Sequence, residues 1–208
     1  MCIIAYVLEQ SDATESLLEF LRRNGVSKAS EITFAGFDRV ALTRLVKRGE
    51  INRLSRGVYA ASDHELTEWH DLAEIAKTAP TAIVTLVSAL AFHEIGTQMP
   101  YETWIALPKG SRKPALNRNL NITRFSEPSY SAGVEEHEIE GVRVRVYSPA
   151  KTIADCFKMR SKVGYDVAIE ALKEGWRLRK FTMSDLNKFA EMNKVDKVMR
   201  PYIEAITA

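Results

Sequence analysis

The sequence contains little cysteine and no long hydrophobic run. Its two cysteines, Cys2 and Cys156, are isolated, with no CxxC or Cys/His spacing, so we predict neither a zinc site nor a disulfide framework. The apolar start, residues 1–8, and the longest internal apolar run, Ala82–Ile95, are both shorter than the ~20 residues that cross a bilayer. We expect a strand or helix extension over residues 1–8, a buried core helix over Ala82–Ile95, and no membrane segment.

Signatures of targeting and catalysis are absent as well. The first residues have no basic flank and no cleavage site, so we expect no signal peptide and a cytoplasmic protein. The sequence shows no glycine-rich phosphate loop, no paired nucleophile and base, and no acidic metal cluster. We therefore predict that the protein is not an enzyme and that it uses no cofactor.

The histidines do not follow a metal-binding spacing. His64 and His70 are six residues apart, which is about 240° around a helix, so the two side chains would not share a helical face. His93 ends an apolar run, where a single histidine is typical of a hydrogen-bonded structural residue. We predict no metal site.

Composition indicates an ordinary folded protein with one uneven feature. The 208 residues suit one or two domains, and 46% apolar with 27% charged residues is the composition of a protein with a real core. Residues 1–62 contain nine Lys/Arg against seven Asp/Glu, whereas residues 63–208 contain twenty of each. The excess positive charge of the chain therefore lies in its first 62 residues.

A helix with strong start and stop signals follows Phe37. Asp38 is predicted to cap it by accepting hydrogen bonds from the first turn, and Phe37 and Leu42 have the spacing of a hydrophobic staple. Gly49 has the position at which a left-handed residue ends a helix. We predict a short helix over residues 39–48.

The two faces of this helix differ. At about 100° per residue, one half is apolar, and the other half carries Arg39, Thr43 and Lys47, with Arg44 beside them. From Arg39 to Arg56 there are six Lys/Arg and one acid, a local charge of +5. Such a face is also typical of plain solvated surface, but its combination with the cap, the staple and the stop favours DNA binding.

A basic β-hairpin is predicted directly after the helix. Apolar residues alternate on both sides of the turn Ser55-Arg56-Gly57. A basic helix followed by a basic hairpin is the winged helix-turn-helix pattern, in which the helix enters the major groove. The predicted DNA-binding residues are Arg39, Thr43, Arg44, Lys47, Arg48, Arg53, Arg56 and Tyr59.

The remaining pattern predicts an α+β protein with an N-terminal winged helix-turn-helix, followed by a small sheet flanked by helices. Upstream of the basic helix we expect a helix that begins near Asp12 and ends at Gly25, then a short helical piece over Ser27–Ile32. We place the domain boundary after Ser62, between a DNA-binding domain, 1–62, and an α+β domain, 63–208. In the second domain, helices are expected at residues 65–79, 82–95, 165–178, 183–192 and 195–206, and strands at 103–107, 122–125, 135–139 and 142–147.

Two segments of the second domain are open to more than one interpretation. Lys151 and Asp155, at i and i+4 after a Ser-Pro helix start, suit either a solvent-exposed ion pair, which we favour, or an anion site at the helix N-terminus. Residues Lys109–Arg118 carry four basic side chains. This composition predicts a loop. The loop either contacts nucleic acid or an acidic partner, or it is solvent-exposed without a partner.

The segment RLVKRGEINRLSRGVYAAS closely resembles the wing region of the AbiEi antitoxins of type IV, abortive-infection toxin–antitoxin systems. Ser88–His93 and Val146–Asp155 are similar to further motifs of that family. The resemblance implies that the winged helix represses its own operon by binding inverted repeats of double-stranded DNA in the promoter. It also implies that the C-terminal domain neutralises a nucleotidyltransferase-like toxin without a stable direct complex.

Two functions other than antitoxin and repressor of its own operon are also considered. A ligand-responsive winged-helix repressor would need a ligand pocket, and the sequence shows no charged or aromatic cluster that indicates one. A nucleic-acid-processing enzyme would need a group of catalytic residues, and no such group is visible in the sequence. Because no heptad seam or long exposed apolar helix is visible, we expect a monomer in solution. Two copies would then load cooperatively on an inverted repeat.

Overall fold

The structure is a computed structural model that describes residues 14–114, 116 and 119–207. The predicted cap at Asp12 and the apolar segment of residues 1–8 lie outside these residues. The chain forms two compact units. Unit 1 contains residues 14–80, 114 and 116 together with the short segment Glu138–Arg143, and unit 2 contains residues 81–113, 119–137 and 144–207.

Unit 1 has the element order of a winged helix: a helix, a short strand, two helices and a hairpin. These elements are α1 (14–24), β1 (Ser27–Lys28), α2 (Ala29–Phe34), α3 (Arg39–Arg48), β2 (Ile51–Ser55) and β3 (Val58–Ala61), and α4 (His70–Thr78) follows. The three strands form an antiparallel sheet in the order β1-β3-β2. The predicted winged helix-turn-helix is thus confirmed.

The core of unit 1 holds α3 in place. Leu17 and Leu21 of α1 are fully buried and pack in one cluster with Leu42 and Leu45 of α3 and with Ile51 of β2. Full burial of one such side chain is worth about 1.5–3 kcal/mol. The apolar half of α3 is therefore committed to the core, and its orientation in unit 1 is determined.

Two helix predictions in unit 1 need correction. Ser27 and Lys28 are not helical but form β1, because they pair with Tyr59 and Val58 of the hairpin. The helix predicted over residues 65–79 begins only at His70. Upstream of it, the backbone N–H of Thr67 donates to the carboxylate of Glu140 at 2.8 Å, a partner that lies more than 70 residues away and that helical periodicity does not reveal.

Unit 2 is a mixed sheet with helices, which confirms the predicted α+β class. Its strands are β4 (Ile83–Val84), β5 (Thr103–Pro108), β6 (Leu120–Phe125), β7 (Val134–Ile139) and β8 (Val142–Tyr147), in the order β6-β5-β4-β8-β7. Its helices are α5 (Leu86–Phe92), α6 (Pro149–Lys158), α7 (Arg160–Val163), α8 (Tyr165–Arg177), α9 (Met183–Met192) and α10 (Asp196–Thr207). The tip of the β7–β8 hairpin is the Glu138–Arg143 segment that is counted with unit 1.

The predicted helix over Ala82–Ile95 is wrong in its first part. Ile83 and Val84 form β4, between β5 and β8 in the middle of the sheet, and the helix is limited to Leu86–Phe92. A strand buried on both faces has no polar alternation, so its short apolar run looks the same as a buried helix. The four strands predicted in this domain are confirmed, as are the last three predicted helices to within one residue at each end.

The predicted division into functional domains at Ser62 stays a prediction. The compact unit that contains the winged helix extends past this point to Pro80 and includes Glu138–Arg143. Among the described residues, no helix is both long and apolar enough to cross a bilayer.

Candidate nucleic-acid interface

The ends of helix α3 and its buried side determine where its basic face points. The Asp38 side chain accepts a hydrogen bond from the Val40 backbone N–H at 3.2 Å, and Gly49 ends the helix in the left-handed conformation with φ 73°. Leu42 and Leu45 are buried, which directs the opposite face to solvent. All of these features were predicted from the sequence, and they fix the direction in which the basic side chains point.

The outer face of α3 carries exposed side chains at the predicted spacing. Arg39, Thr43 and Lys47 are exposed and Arg44 is partly buried. The Thr43 hydroxyl donates to the backbone carbonyl of Arg39 at 3.1 Å, so only its oxygen lone pairs remain for another partner. The face therefore offers mainly positive charge and hydrogen-bond donors to a ligand.

The β2–β3 hairpin places two arginines at its exposed end. Arg53 lies at an irregularity in the β2–β3 register, where its Nε donates to the Ser55 carbonyl at 3.4 Å. Arg56 is exposed in the turn, and Gly57 beside it has φ 77°, a conformation that glycine adopts without steric cost. Both cations therefore extend from a short, well-defined wing.

Helix and wing border one open groove of about 730 Å³. Its lining brings together six of the eight predicted DNA-binding residues: Arg39, Thr43, Lys47, Arg53, Arg56 and Tyr59. Tyr59 is half-buried and packs against the core of unit 1, so it forms part of the groove wall. Arg44 and Arg48 are not among the lining residues, and Arg48 lies 3.8 Å from the carboxylate of Glu50.

The groove is suited to an anionic polymer. Within residues 39–56 the six cations face a single acid, and exposed pairs such as Arg48–Glu50 bind weakly, with about 0–1 kcal/mol. Cations in such an arrangement gain most from phosphates, because binding releases the counterions that DNA carries. The arrangement matches a recognition helix with an adjacent wing.

The predicted ion pair of Lys151 and Asp155 is buried rather than solvent-exposed. The Lys151 ammonium lies 2.5 Å from Asp155 Oδ2, and neither side chain has any exposed surface. The Asn193 side-chain amide donates to Asp155 Oδ1 at 2.7 Å, and the rings of Tyr147 and Phe125 lie 4.4 and 4.8 Å from the ammonium. The interpretation as an ion pair in solvent is therefore wrong.

Burial determines the chemistry of this cluster. It lowers the pKa of Lys151 and raises the pKa of Asp155, while the attraction between the two groups acts against both changes. Because the Lys151 ammonium is enclosed by Asp155 and two rings, it is not exposed to a ligand in solution. Asn193 and Phe125 lie far from Lys151 in the sequence, so sequence spacing alone did not identify them.

His64 and His70 meet at one carboxylate, a convergence that the helical-wheel argument missed. In unit 1, His64 Nε2 and His70 Nδ1 lie 3.0 and 2.7 Å from Glu140 Oε2, and Thr67 donates its backbone N–H and its hydroxyl to Oε1. The histidines need not share a helical face because His64 precedes the helix. Among the described residues, no group of three or more His, Cys, Asp or Glu has a metal-binding arrangement.

The carboxylate of Glu140 is therefore a hydrogen-bonded anchor. Burial would raise its pKa, but hydrogen bonds from His70, Thr67 and His64 outweigh this effect and hold the pKa of Glu140 at about 2. His93, in unit 2, has a simpler role, since its Nε2 hydrogen-bonds to the Tyr147 carbonyl at 2.8 Å. This contact confirms the prediction of a structural histidine.

The fold and the groove together define the class: a winged-helix protein with a basic groove between α3 and the wing. Within that class, residues 15–62 match the protein family described as "Transcriptional regulator, AbiEi antitoxin". The resemblance inferred from the wing sequence is confirmed over these residues, and it supports a role as regulator or antitoxin. For the motifs after residue 62 the resemblance stays a prediction.

A solved structure shares the fold over most of this chain. The RV2827C protein of Mycobacterium tuberculosis matches with a TM-score of 0.59 and 13% sequence identity, over 86% of this chain and 71% of that one. At this identity the likeness shows the fold alone. No curated protein matches the chain.

Proposed function

We propose that the protein is an antitoxin of a type IV toxin–antitoxin system that also represses its own operon. The observation that carries the proposal is the groove between α3 and the wing, in which six predicted DNA-binding residues lie together within the segment that matches the AbiEi family. A regulator of its own operon acts where the DNA is, in the cytoplasm.

DNA binding divides between two kinds of contact. Arg39, Thr43 and Arg44, in the first six residues of α3, are proposed to approach base edges in the major groove, with each good bidentate contact worth ~1–3 kcal/mol of discrimination. A second group is proposed to contact phosphates. It consists of Lys47, Arg48, Arg53 and Arg56.

A gel-shift titration with the promoter duplex tests this placement. Arg44→Ala should weaken binding most for the promoter sequence, since it removes a base contact. Arg56→Ala should weaken binding to promoter and unrelated duplexes alike, since it removes a phosphate contact. If both variants bind the promoter with unchanged affinity, this placement of the DNA-binding residues is wrong.

Inverted repeats require two copies of the recognition helix on successive grooves. We propose that the protein is a monomer in solution and that two copies load cooperatively, with bending of the DNA so that neighbours touch. Bending a site of 20–30 bp costs ~1–6 kcal/mol, which the contacts of a second copy would offset. Light scattering without DNA should show a monomer, and a stable dimer at micromolar concentration would contradict this.

Neutralisation of the nucleotidyltransferase-like toxin is assigned to residues 63–208, without a stable direct complex. This assignment rests on their balanced charge, twenty Lys/Arg against twenty Asp/Glu, and on the resemblance described above. A full-length Arg44→Ala/Arg56→Ala variant should lose promoter binding and still protect cells that express the toxin encoded beside the gene. Loss of protection in a well-folded variant would tie neutralisation to DNA binding.

A further inference from the structure

Val40 stands at the centre of the outer face of α3. It is the second residue of the helix, and 51% of its surface is exposed. At about 100° per residue, it lies about 170° from the midpoint between the buried Leu42 and Leu45. Of the residues in the first turn, Val40 therefore points most directly away from the core of unit 1.

Its neighbours on the helix surface are the residues proposed to contact DNA. Thr43 and Arg44 follow Val40 at i+3 and i+4, which are the adjacent positions on a helix, and Lys47 follows at i+7. A single exposed valine elsewhere on a surface has no special meaning. Here the apolar side chain lies in the middle of a basic face, where a polar residue would be expected.

The position of Val40 is well determined. Its backbone N–H donates to the Asp38 cap at 3.2 Å, which fixes the residue in the first helical turn, and a β-branched side chain in a helix has one strongly preferred rotamer. Two methyl groups are thus held in a defined direction. Such a group suits recognition by shape and apolar contact, not by hydrogen bonding.

We propose that Val40 reads the 5-methyl group of a thymine in each half-site, an inference that rests on the proposed DNA-binding function. The N-terminal residues of a recognition helix contact base edges in the major groove. Of the groups displayed there, the thymine methyl is the one apolar partner, while the others are hydrogen-bond donors or acceptors. A valine therefore selects for thymine at the base pair that it faces.

The test compares full-length protein and Val40→Ala on the same duplexes. Duplexes that bind the wild-type protein are selected from a randomised library, and each conserved thymine is then replaced by deoxyuridine, which lacks the methyl group. One replacement per half-site should weaken wild-type binding about fourfold for each half-site, the factor that corresponds to ~0.8 kcal/mol for one buried methyl group. Val40→Ala should bind the thymine and deoxyuridine duplexes equally well.

Controls separate this inference from the function on which it rests. Leu66→Ala removes another exposed apolar side chain of unit 1, 63% exposed, and should keep the wild-type preference for thymine. Alanine is a good helix former, so Val40→Ala should fold, and its salt dependence of DNA binding should equal that of the wild type. If no duplex is selected at all, the proposed DNA-binding function itself fails.

Two outcomes would overturn the inference alone. In the first, wild-type protein binds DNA but does not distinguish thymine from deoxyuridine at any position. In the second, Val40→Ala weakens binding to both duplexes by the same factor and keeps the preference for thymine, which would assign Val40 to a contact with a second protein copy. Either result leaves DNA binding by the groove intact.

Discussion

The basic groove of unit 1 and the buried lysine of unit 2 use positive charge in opposite ways. Unit 1 carries Arg39, Lys47 and Arg56 on exposed surfaces that border a groove, whereas unit 2 encloses Lys151 completely. An exposed cation keeps its hydration and costs little stability, so it remains available for a ligand. A buried cation is stable only beside a partner of opposite charge. Position, rather than residue type, therefore separates cations that are available to a ligand from structural ones.

The carboxylates of Glu140 and Asp155 differ in the direction in which the protein shifts their pKa values. Glu140 in unit 1 and Asp155 in unit 2 have 1% and 0% of their side-chain surface exposed, yet the pKa of Glu140 is lowered and the pKa of Asp155 is raised. Glu140 accepts hydrogen bonds from two histidines and from Thr67. For Asp155, the cost of burial is the larger effect. The two pKa shifts have opposite signs because Asp155 is fully buried, whereas Glu140 is half-buried as a residue and accepts hydrogen bonds from more donors.

The largest effect on stability is expected at Asp155. Asp155→Ala leaves the Lys151 ammonium buried without its partner and should lower the free energy of unfolding by about 3–5 kcal/mol. Urea unfolding, with hydrogen exchange of the amides of unit 2, measures this. The double variant Lys151→Met/Asp155→Leu removes both charges and should recover most of the loss. A single variant as stable as the wild type would show that Lys151 does not depend on this carboxylate.

A smaller loss is expected at Glu140. Glu140→Ala removes the acceptor shared by His64, His70 and Thr67, and should destabilise unit 1 by about 2–3 kcal/mol. Faster hydrogen exchange in the amides of residues 14–80 is the measurement. Glu138→Ala provides the matched control, because Glu138 is an exposed glutamate of the same hairpin. Equal effects of the two substitutions would contradict the anchoring role of Glu140.

The carboxylate of Glu140 also predicts a pH dependence. Its pKa is lowered from 4.5 to about 2, so the ionised form is favoured by folding, and its contribution to stability is complete above about pH 4.5. This contribution is lost as the pH falls toward 2. The stability difference between wild type and Glu140→Gln should therefore shrink over this range. A difference that stays constant from pH 6 to pH 2.5 would argue against a lowered pKa.

The smallest expected effect is on DNA binding alone. Lys47→Ala should leave stability within ~0.5 kcal/mol of the wild type and should reduce the slope of log affinity against log salt by about one. The matched control is Lys197→Ala, which removes an exposed lysine from α10 of unit 2 and should not change the slope. If the two variants have the same slope, Lys47 does not contact a phosphate.

Features with local causes were predictable from the sequence. The cap at Asp38 and the stop at Gly49 bounded α3 correctly, and α9 was predicted with the bounds Met183–Met192 that the structure shows. In both helices, side chains hydrogen-bond within three residues of the cap. Charge, periodicity and turn residues act over one or two helical turns. Reading along the chain was therefore sufficient to predict the winged helix and six of the residues that line its groove.

Features with distant causes were not predictable. The strand β4 exists because Val84 pairs with Ile105 and Val146, and Glu140 meets His70 across 70 residues of sequence. No local pattern encodes such pairs, because hydrogen bonds and burial depend on distance in space. Local chemistry is thus enough to define α3, the wing and their charge. Only the tertiary structure establishes which charged groups are enclosed, since burial is a property of the packed chain.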